Sequence, residues 1–300
     1  MDYKSIIKSR KLRIKIMQFL SFVPDELMVK LQYRIKTGRK LNLKNPQRYT
    51  EKLQWYKLNY KDPLMAQCAD KYEVRKYVEK CGLGHILNEL YGVYDSPDEI
   101  DFDALPNSFV AKDTLGGGGN SVIIVQDKSA VNIDEIKAQM QEWVDEPINK
   151  KHPGREWVYD GRKHRIIVEK LLTGDKDGDL PDYKFFGFNG VIECLYFMKN
   201  YTKHHDEGIL GFLSPDFKLL GAHRKDFAAM NEQPEKPQSY EEMLEMAKIL
   251  SKSFPHVRVD FYNINGEIIF GEMTFFMASG YIQFEPDEFD YKLGENFKLT

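Results

Sequence analysis

The 300 residues predict an α+β fold, on two observations. Apolar runs of strand character are joined by Asn-Gly dipeptides in "FFGFNGVIECLYF" and "VRVDFYNINGEIIFGEMTF", and such a pattern is a strong short-range signal for an antiparallel hairpin. Helical stretches lie between the strands without the strict strand–helix alternation of a doubly wound parallel sheet. With 42% hydrophobic and 30% charged residues, the chain suits one large domain or two intertwined ones.

Residues 1–40 read as helical and basic, with Lys4, Lys8, Arg10, Lys11, Arg13, Lys15, Lys30, Arg34, Lys36, Arg39 and Lys40 opposed only by Asp2, Asp25 and Glu26. Such an arm suits an anionic membrane or an acidic glycan, or else a solvated helix pair docked on the body. It lacks the apolar core of a secretory signal, and no run of eighteen apolar residues predicts a membrane span. "TEKLQWYKLNY" (50–60) predicts a helix capped by Thr50, and "DKYEVRKYVEKCGLG" (70–84) a second helix ending at glycines. "SPDEIDFDALP" reads as an acidic connector, "SFVAKDTLGGGGNSVIIVQDK" as strand, glycine loop and strand, and "NIDEIKAQMQEWVDE" as an amphipathic helix. "HRIIVEKLL" reads as a strand entering a loop, followed by the hairpin turning at Asn189-Gly190. "SYEEMLEMAKILSKSF" is a helix with a broad apolar stripe; the tail "FEPDEFDYKLGENF" reads as acidic and turn-rich. Cys68, Cys81 and Cys194 show no pairing or metal spacing, so a reducing, cytoplasmic compartment is the simplest reading. The net charge of −3 and the lack of a basic aromatic patch argue against a nucleic-acid partner.

Three stretches carry chemistry. Gly116, Gly117, Gly118 and Gly119 leave backbone N–H groups bare between two strands, where they can cradle phosphate, and Lys112 lies close enough to reach the same anion. The loop matches neither a Walker nor a Rossmann fingerprint. In "VEKLL", Glu169, Lys170 and Leu172 end a strand and can present backbone edges and an apolar face to a purine. In the second hairpin Arg258, Asp260 and Glu272 sit within an apolar pair of strands, where unpartnered charge is costly. Side chains alternate faces, so loop length decides the arrangement. A two-residue Asn265-Gly266 loop puts Asp260 and Glu272 on opposite faces. A three-residue loop of Ile264, Asn265 and Gly266 puts them on one face as diagonal neighbours, roughly 7–8 Å apart, where both can close on a hard cation. The three-residue loop is the expectation. Val257, Val259, Phe261, Ile269, Met273 and Phe275 then form the core face.

The order of these elements, with "NPQRYTEKLQWYKL", "ADKYEVRKYV", "LPNSFVAKDTLGGGGNSVIIVQDKS", "REWVYDGRKHRIIVEKLL", "PDYKFFGFNG" and "RVDFYNINGEIIFGEMTF", resembles the TupA-like ATP-grasp proteins of bacterial polysaccharide gene clusters from about residue 40 onward. The resemblance implies an ATP-grasp fold, two α+β lobes clasping ATP behind a helical extension: an arm at 1–50 and an ATP-grasp domain at 51–300, divided at 168/169. It implies that Lys112 holds ATP phosphates under a lid of Gly116 to Gly119, that Glu169, Lys170 and Leu172 form the adenine linker, and that Lys184 faces the phosphates. Asp260 and Glu272 would bind Mg²⁺, and Arg258 would neutralise the transferred phosphoryl group. Thr274 stands where many relatives carry a metal-binding Asn, and "FFMASGY" replaces a Pro-Gly turn on the acceptor side. The implied activity is ATP-dependent joining of an amine or amino acid to a carboxylate, here a uronic acid of a surface glycan or its precursor, at the cytoplasmic side. Asp260→Asn and Glu272→Gln are expected to abolish turnover with the melting temperature unchanged or raised.

Competing readings are a kinase acting on a sugar hydroxyl, a glycosyltransferase using "DFD" (101–103), and a non-catalytic nucleotide scaffold. "DKDGD" (175–179) hints at a Ca²⁺ loop but lacks the distant Glu, and "KHHDE" (203–207) offers His204 and His205 on opposite faces of a strand.

Overall fold

The computed structural model describes residues 9–117, 121–148, 151–174, 180–199 and 208–299. Gly118 and Gly119, and the segments 175–179 and 203–207, lie outside them. Helices α1 (Arg10–Phe19), α2 (Asp25–Thr37), α3 (Tyr49–Asn59), α4 (Pro63–Ala69) and α5 (Val74–Lys80) precede the first strand. Strands β1 (Leu90–Tyr94), β2 (Phe109–Asp113), β3 (Val122–Val125) and β4 (Ile166–Glu169) form a four-stranded antiparallel sheet in the order β1-β4-β2-β3, with α6 (Ile133–Val144) between β3 and β4. β5 (Asp182–Phe188), β6 (Val191–Lys199), β7 (Ile209–Leu213), β8 (His223–Arg224), β9 (Ala228–Ala229), α7 (Tyr240–Ser251), β10 (Val257–Ile264), β11 (Glu267–Thr274), β12 (Phe284–Glu285) and α8 (Glu288–Asn296) complete the chain. The larger sheet runs β11-β10-β5-β6-β7-β9, and β12 pairs with β8.

Each sheet has its own core. Phe109, Ala111, Ile123, Val125, Ile166 and Val168 pack with Ile136, Met140 and Trp143 of α6 under the small sheet. Under the large sheet, Phe185, Leu195, Leu213, Val259 and Phe261 share one face and belong to the same core as Met243 and Leu250 of α7. The buried residues of α3, α4 and α5, Tyr49 and Tyr77 among them, join this second core. Packing therefore groups the helices of 49–80 with the C-terminal lobe, whereas the expected division at 168/169 groups them with the lid, which is contiguous with them in sequence. All six residues expected on the hairpin's apolar face are buried, but Ile269 pairs with Tyr262 on the Asp260 face and Phe270, opposite Phe261, takes its place in the core.

Several elements differ from expectation. Helix α3 is capped at Arg48 rather than Thr50. Glu51 reaches back to accept from the N–H groups of Arg48 (3.2 Å) and Gln47 (2.9 Å), while the Thr50 hydroxyl and N–H are taken by Asp290 at 2.8 and 3.0 Å. The stretch 70–84 is not one helix: Asp70 accepts from the N–H groups of Tyr72 and Glu73, so the helix begins only at Val74. The acidic tail forms α8, because the fully buried Asp290 is also met by Arg48 at 3.3 Å. Gly294 lets α8 approach α3: a Cβ there would lie 2.1 Å from the Gln47 carbonyl oxygen.

The β10–β11 loop is the two-residue Asn265-Gly266, not the expected three-residue loop. Ile264 pairs with Glu267, and φ is 53° and 91° at the two turn residues, as in a type I′ turn. Yet Asp260 pairs directly with Glu272. Phe261 pairs with Phe270, so Gly271 is an extra residue, a β-bulge that restores the shared face. A Cβ on Gly271 would lie 3.0 Å from the Asp260 carbonyl oxygen. Gly271→Val therefore destabilises the chain by about 1–3 kcal/mol through overpacking, read from urea midpoints; an unchanged midpoint would show that the bulge accepts a side chain.

At the start of β10, His256 is fully buried, with Nδ1 3.0 Å from the Gly187 carbonyl oxygen and Nε2 2.8 Å from the Tyr49 hydroxyl. Burial lowers its pKa to about 3 against the pull of the Gly187 carbonyl, and the Arg258 charge adds to the lowering. The neutral ring donates to Gly187 and accepts from Tyr49. Because the folded value lies below the unfolded one of about 6.5, this stability is present above pH 6.5. It is lost as the pH falls toward 3, at about 1.4 kcal/mol per unit. His256→Asn is expected to melt lower at neutral pH but to lose less between pH 6.5 and 5 than the parent; equal slopes would remove His256 from the acid response.

Candidate active site

Strand β10 lies between β5 and β11, so its residues meet side chains from both. Asp260 is opposite Lys184 on β5 and Glu272 on β11, and it is only 1% exposed. Arg258, two residues earlier on the same face, grips Asp260 with Nε at 2.7 Å and Nη2 at 2.6 Å. The same Nη2 donates to Glu272 Oε1 at 2.8 Å and to the Thr274 hydroxyl at 3.0 Å, while Thr274 donates to Glu272 at 3.0 Å. Lys184 binds Asp260 at 2.6 Å and Asp182 at 2.5 Å. The hydroxyl of Tyr196, from β6, accepts from Arg258 at 3.3 Å. The structure thus brings Arg258, Lys184, Asp260, Glu272 and Thr274 together, as expected from the sequence.

The charges fix one another. Burial alone would raise the Glu272 pKa, but Arg258, Lys184 and Lys71 outweigh it and bring it down to about 2. Burial would also discharge Lys184, yet Asp182 and Asp260 push its pKa well above the ordinary value. Asp182 goes the other way, raised to about 6 by burial despite Lys184. Two carboxylates that converge on one guanidinium nitrogen can also converge on one metal ion. The set offers only oxygens, and half of the Glu272 side chain (48%) is open to solvent. That fits a hard cation such as Mg²⁺, which takes one or two carboxylates and shares the rest of its shell with phosphate and water. Among the described residues no cluster of three or more His, Cys, Asp or Glu has metal-binding geometry.

On the small sheet Lys112 pairs with Glu169 at 2.8 Å, joining two residues expected to serve different parts of a nucleotide. Arg75 adds a second contact to Glu169 at 3.4 Å. Lys71 is a residue the sequence reading missed. Its ammonium donates to the carbonyl oxygens of Asp113, at 3.1 Å, and of Gly116, where the glycine loop begins. Burial lowers its pKa; Glu272, Asp113 and Asp70 oppose the lowering and Lys112 adds to it. Lys71 is therefore electrostatically coupled to Glu272 on the large sheet and to Lys112 on the small one. Gly117 has open space where a Cβ would lie. The only sequence signal for Lys71 is its place beside the capping Asp70. Tyr196 and Asp182, also missed, sit on strands where nothing local marks them.

Lys170, Leu171, Leu172 and Thr173 line one side of a groove of about 300 Å³, with Ile264, Glu267, Ile268 and Ile269 of the hairpin and residues 85–89 completing it. The backbone of Lys170 does not offer free edges: its N–H donates to Glu89 and its carbonyl accepts from Asn88. "DFD" is a turn, in which Asp101 accepts from the N–H groups of Asp103 and Ala104 while Phe102 is buried in the small core.

Past Thr274, Ala278, Ser279 and Gly280 are all left-handed, with φ of 46°, 55° and 72°. Such a conformation costs roughly 1–2 kcal/mol per non-glycine residue. The carbonyls of Ser279 and Gly280 accept from Gln54 at 2.9 and 2.8 Å. Lys57, 1% exposed, binds the carbonyls of Ser279 and Gly154 at 2.8 Å each. The Ser279 hydroxyl donates to Glu156. Burial lowers the Lys57 pKa to about 7, with Glu156 opposing.

From the structure, Asp260→Asn is expected to lower stability in place of leaving it unchanged or raised, because that change strands Arg258 and Lys184 beside a neutral amide. Removing one partner of a buried ion pair costs about 3–5 kcal/mol, so Arg258→Met is expected to lose that much in urea unfolding. Glu272→Gln, whose half-exposed contacts are screened, is expected to lose less than about 1 kcal/mol. Equal losses would show that burial at Asp260 does not set the energetics of the cluster.

Among solved structures, the chain is similar to the D-alanine–D-alanine ligase of Helicobacter pylori, with 17% identity over 77% of this chain and 61% of that one and a TM-score of 0.47. It is also similar to an L-amino acid ligase of Bacillus licheniformis, with 13% identity, 83% and 55% coverage and a TM-score of 0.48. A third is the ADP complex of the N5-carboxyaminoimidazole synthetase of Staphylococcus aureus, with 13% identity, 74% and 50% coverage and a TM-score of 0.44. The chain thus spans about half to three fifths of the length of these proteins. No curated protein matches. The family model described as TupA-like ATPgrasp matches residues 51–298, from helix α3 through the β10–β11 hairpin and past α8. The chain belongs to the TupA-like ATP-grasp family.

Proposed function

We propose that this chain is an ATP-dependent carboxylate–amine ligase that joins an amino acid or other amine to a uronic acid of a bacterial surface polysaccharide or its precursor. The observation that carries the ligase reading is the convergence of Asp260, Glu272 and Thr274 on one nitrogen of Arg258, with Lys184 alongside and Lys71 coupled from the glycine-loop side. The family assignment supports it. The choice of a uronic acid rests on the setting of the family in polysaccharide gene clusters.

In this reading the triphosphate lies between the glycine loop and the hairpin, with the base against Leu172 and the isoleucines of the groove. Lys112 and Lys71 bind phosphate oxygens. Asp260 and Glu272, with the Thr274 hydroxyl, would hold Mg²⁺, which when bound clamps and neutralises phosphate oxygens. Arg258 and Lys184, both largely buried, place fixed positive charge where the phosphoryl group moves, and their burial weakens screening by water. A carboxylate oxygen of the acceptor attacks the γ-phosphorus and ADP leaves, giving an acyl phosphate. The neutral amine then attacks the acyl carbon and phosphate departs, leaving the amide after loss of a proton. The rigid rim at Ala278–Gly280 borders the acceptor.

The test is phosphate release from ATP and Mg²⁺ with a uronic acid, an amine, or both. Release that requires both supports a ligase. A phosphorylated acceptor formed without amine supports a kinase, and turnover of a nucleotide sugar without ATP supports a glycosyltransferase. Glu272→Gln, which keeps the fold, is expected to lower turnover by about 100-fold or more. Full activity in that variant would remove Glu272 from the metal site.

A further inference from the structure

We propose that the outer face of the N-terminal helix pair docks on an anionic lipid bilayer. The inner face is already used. Met28 is buried, and Val29 and Tyr33 pack with Leu41 and Tyr281. Arg155 donates to the carbonyls of Leu20 and Ser21 at 2.7 and 3.2 Å, which fixes the turn between α1 and α2 to the body. The outer face is left apolar. Phe19 and Phe22 are 77% and 75% exposed and meet edge to face at 6.3 Å. Leu27, Leu31 and Ile35, spaced four residues apart on α2, continue the apolar surface, and each is exposed.

Charge names the partner. The exposed Lys30, which pairs with the likewise exposed Glu26 at 2.5 Å, and Arg34, which donates to the Gly38 carbonyl at 2.7 Å, flank the Leu27–Leu31–Ile35 stripe. Residues 1–40 hold eleven Lys and Arg against three acids, a net of +8, and the whole chain is −3, so the remainder carries −11. A segment of basic sequence with aromatic and aliphatic side chains at its surface has the composition of a helix that lies in the headgroup region of an anionic membrane. A second copy docking through this face would bring two +8 arms together, which like-charge repulsion opposes. An acidic glycan would use the charges but not the aliphatic stripe. The contact would be peripheral, since no helix among the described residues is long and apolar enough to cross a membrane. It uses no residue of the nucleotide site.

The experiment is sedimentation of the full chain with vesicles of phosphatidylcholine alone or mixed with phosphatidylglycerol, across a range of salt. Binding is expected only with phosphatidylglycerol and is expected to weaken as salt shortens the screening length. Phe19→Ser with Phe22→Ser is expected to weaken binding at least about tenfold while melting temperature and ATP turnover stay at the parent values. Lys30→Glu with Arg34→Glu is expected to weaken it similarly at low salt. Three results would each overturn the proposal: equal binding to both vesicle types, parental binding by the Phe variant, or concentration-dependent dimers that the Phe variant abolishes while no vesicle is bound.

Discussion

The buried pair of Arg258 and Asp260 constrains everything around it. Two charges taken out of water cost several kcal/mol each unless geometry and further hydrogen bonds compensate. Here the compensation comes from three strands at once: Lys184 on β5, Tyr196 on β6, and Glu272 with Thr274 on β11. None of these partners can shift along its strand without leaving a charge unmet. The pairing of Asp260 with Lys184 on one side and Glu272 on the other is therefore tied to electrostatics as well as to the apolar core beneath. A sheet whose register is fixed in this way offers a binding site little freedom to drift.

That constraint explains why the hairpin contains two irregular features in place of one. The tight Asn265-Gly266 turn matches the twist of the strands, but alone it would send Glu272 to the opposite face. The bulge at Gly271 changes the parity back. A three-residue loop would have had the same effect on the two carboxylates, which is why period-two reasoning from the sequence reached the right face through the wrong turn. Parity can be read from a pattern of side chains, whereas the position at which an extra residue is inserted depends on which backbones approach. Gly271 carries that information only through the nearby Asp260 carbonyl.

The same distinction separates what the sequence disclosed from what it did not. Helices α6 and α7, strands β2 to β6 and both hairpins follow from periodicity, caps and Asn-Gly turns, which are local. The α8 helix was missed because its anchor, Asp290, answers to Arg48 and Thr50 about 240 residues away. Lys71 was missed for a similar reason: a lysine after a capping aspartate is ordinary until the Asp113 and Gly116 carbonyls are placed beside it. The family resemblance singled out Lys112, Glu169, Asp260 and Glu272 as candidates, but it did not disclose that Lys112 and Glu169 pair or that the backbone of Lys170 is already satisfied.

The rim past Thr274 and the ionic cluster are held by different parts of the fold. Ala278 and Ser279 hold a backbone conformation that costs free energy and that only surrounding contacts can maintain. Gln54 and Lys57 supply those contacts from α3, a helix packed into the core of the large sheet rather than into the ionic cluster. The rim is thus supported from one side and the phosphoryl chemistry from another. In the proposed ligase, a change in rim sequence, such as "FFMASGY" in place of a Pro-Gly turn, would alter what meets the acceptor while the contacts among Arg258, Asp260 and Lys184 stay as they are. Specificity in this fold can then diverge at a strained loop whose anchors are backbone carbonyls, because carbonyl anchors persist through side-chain substitution.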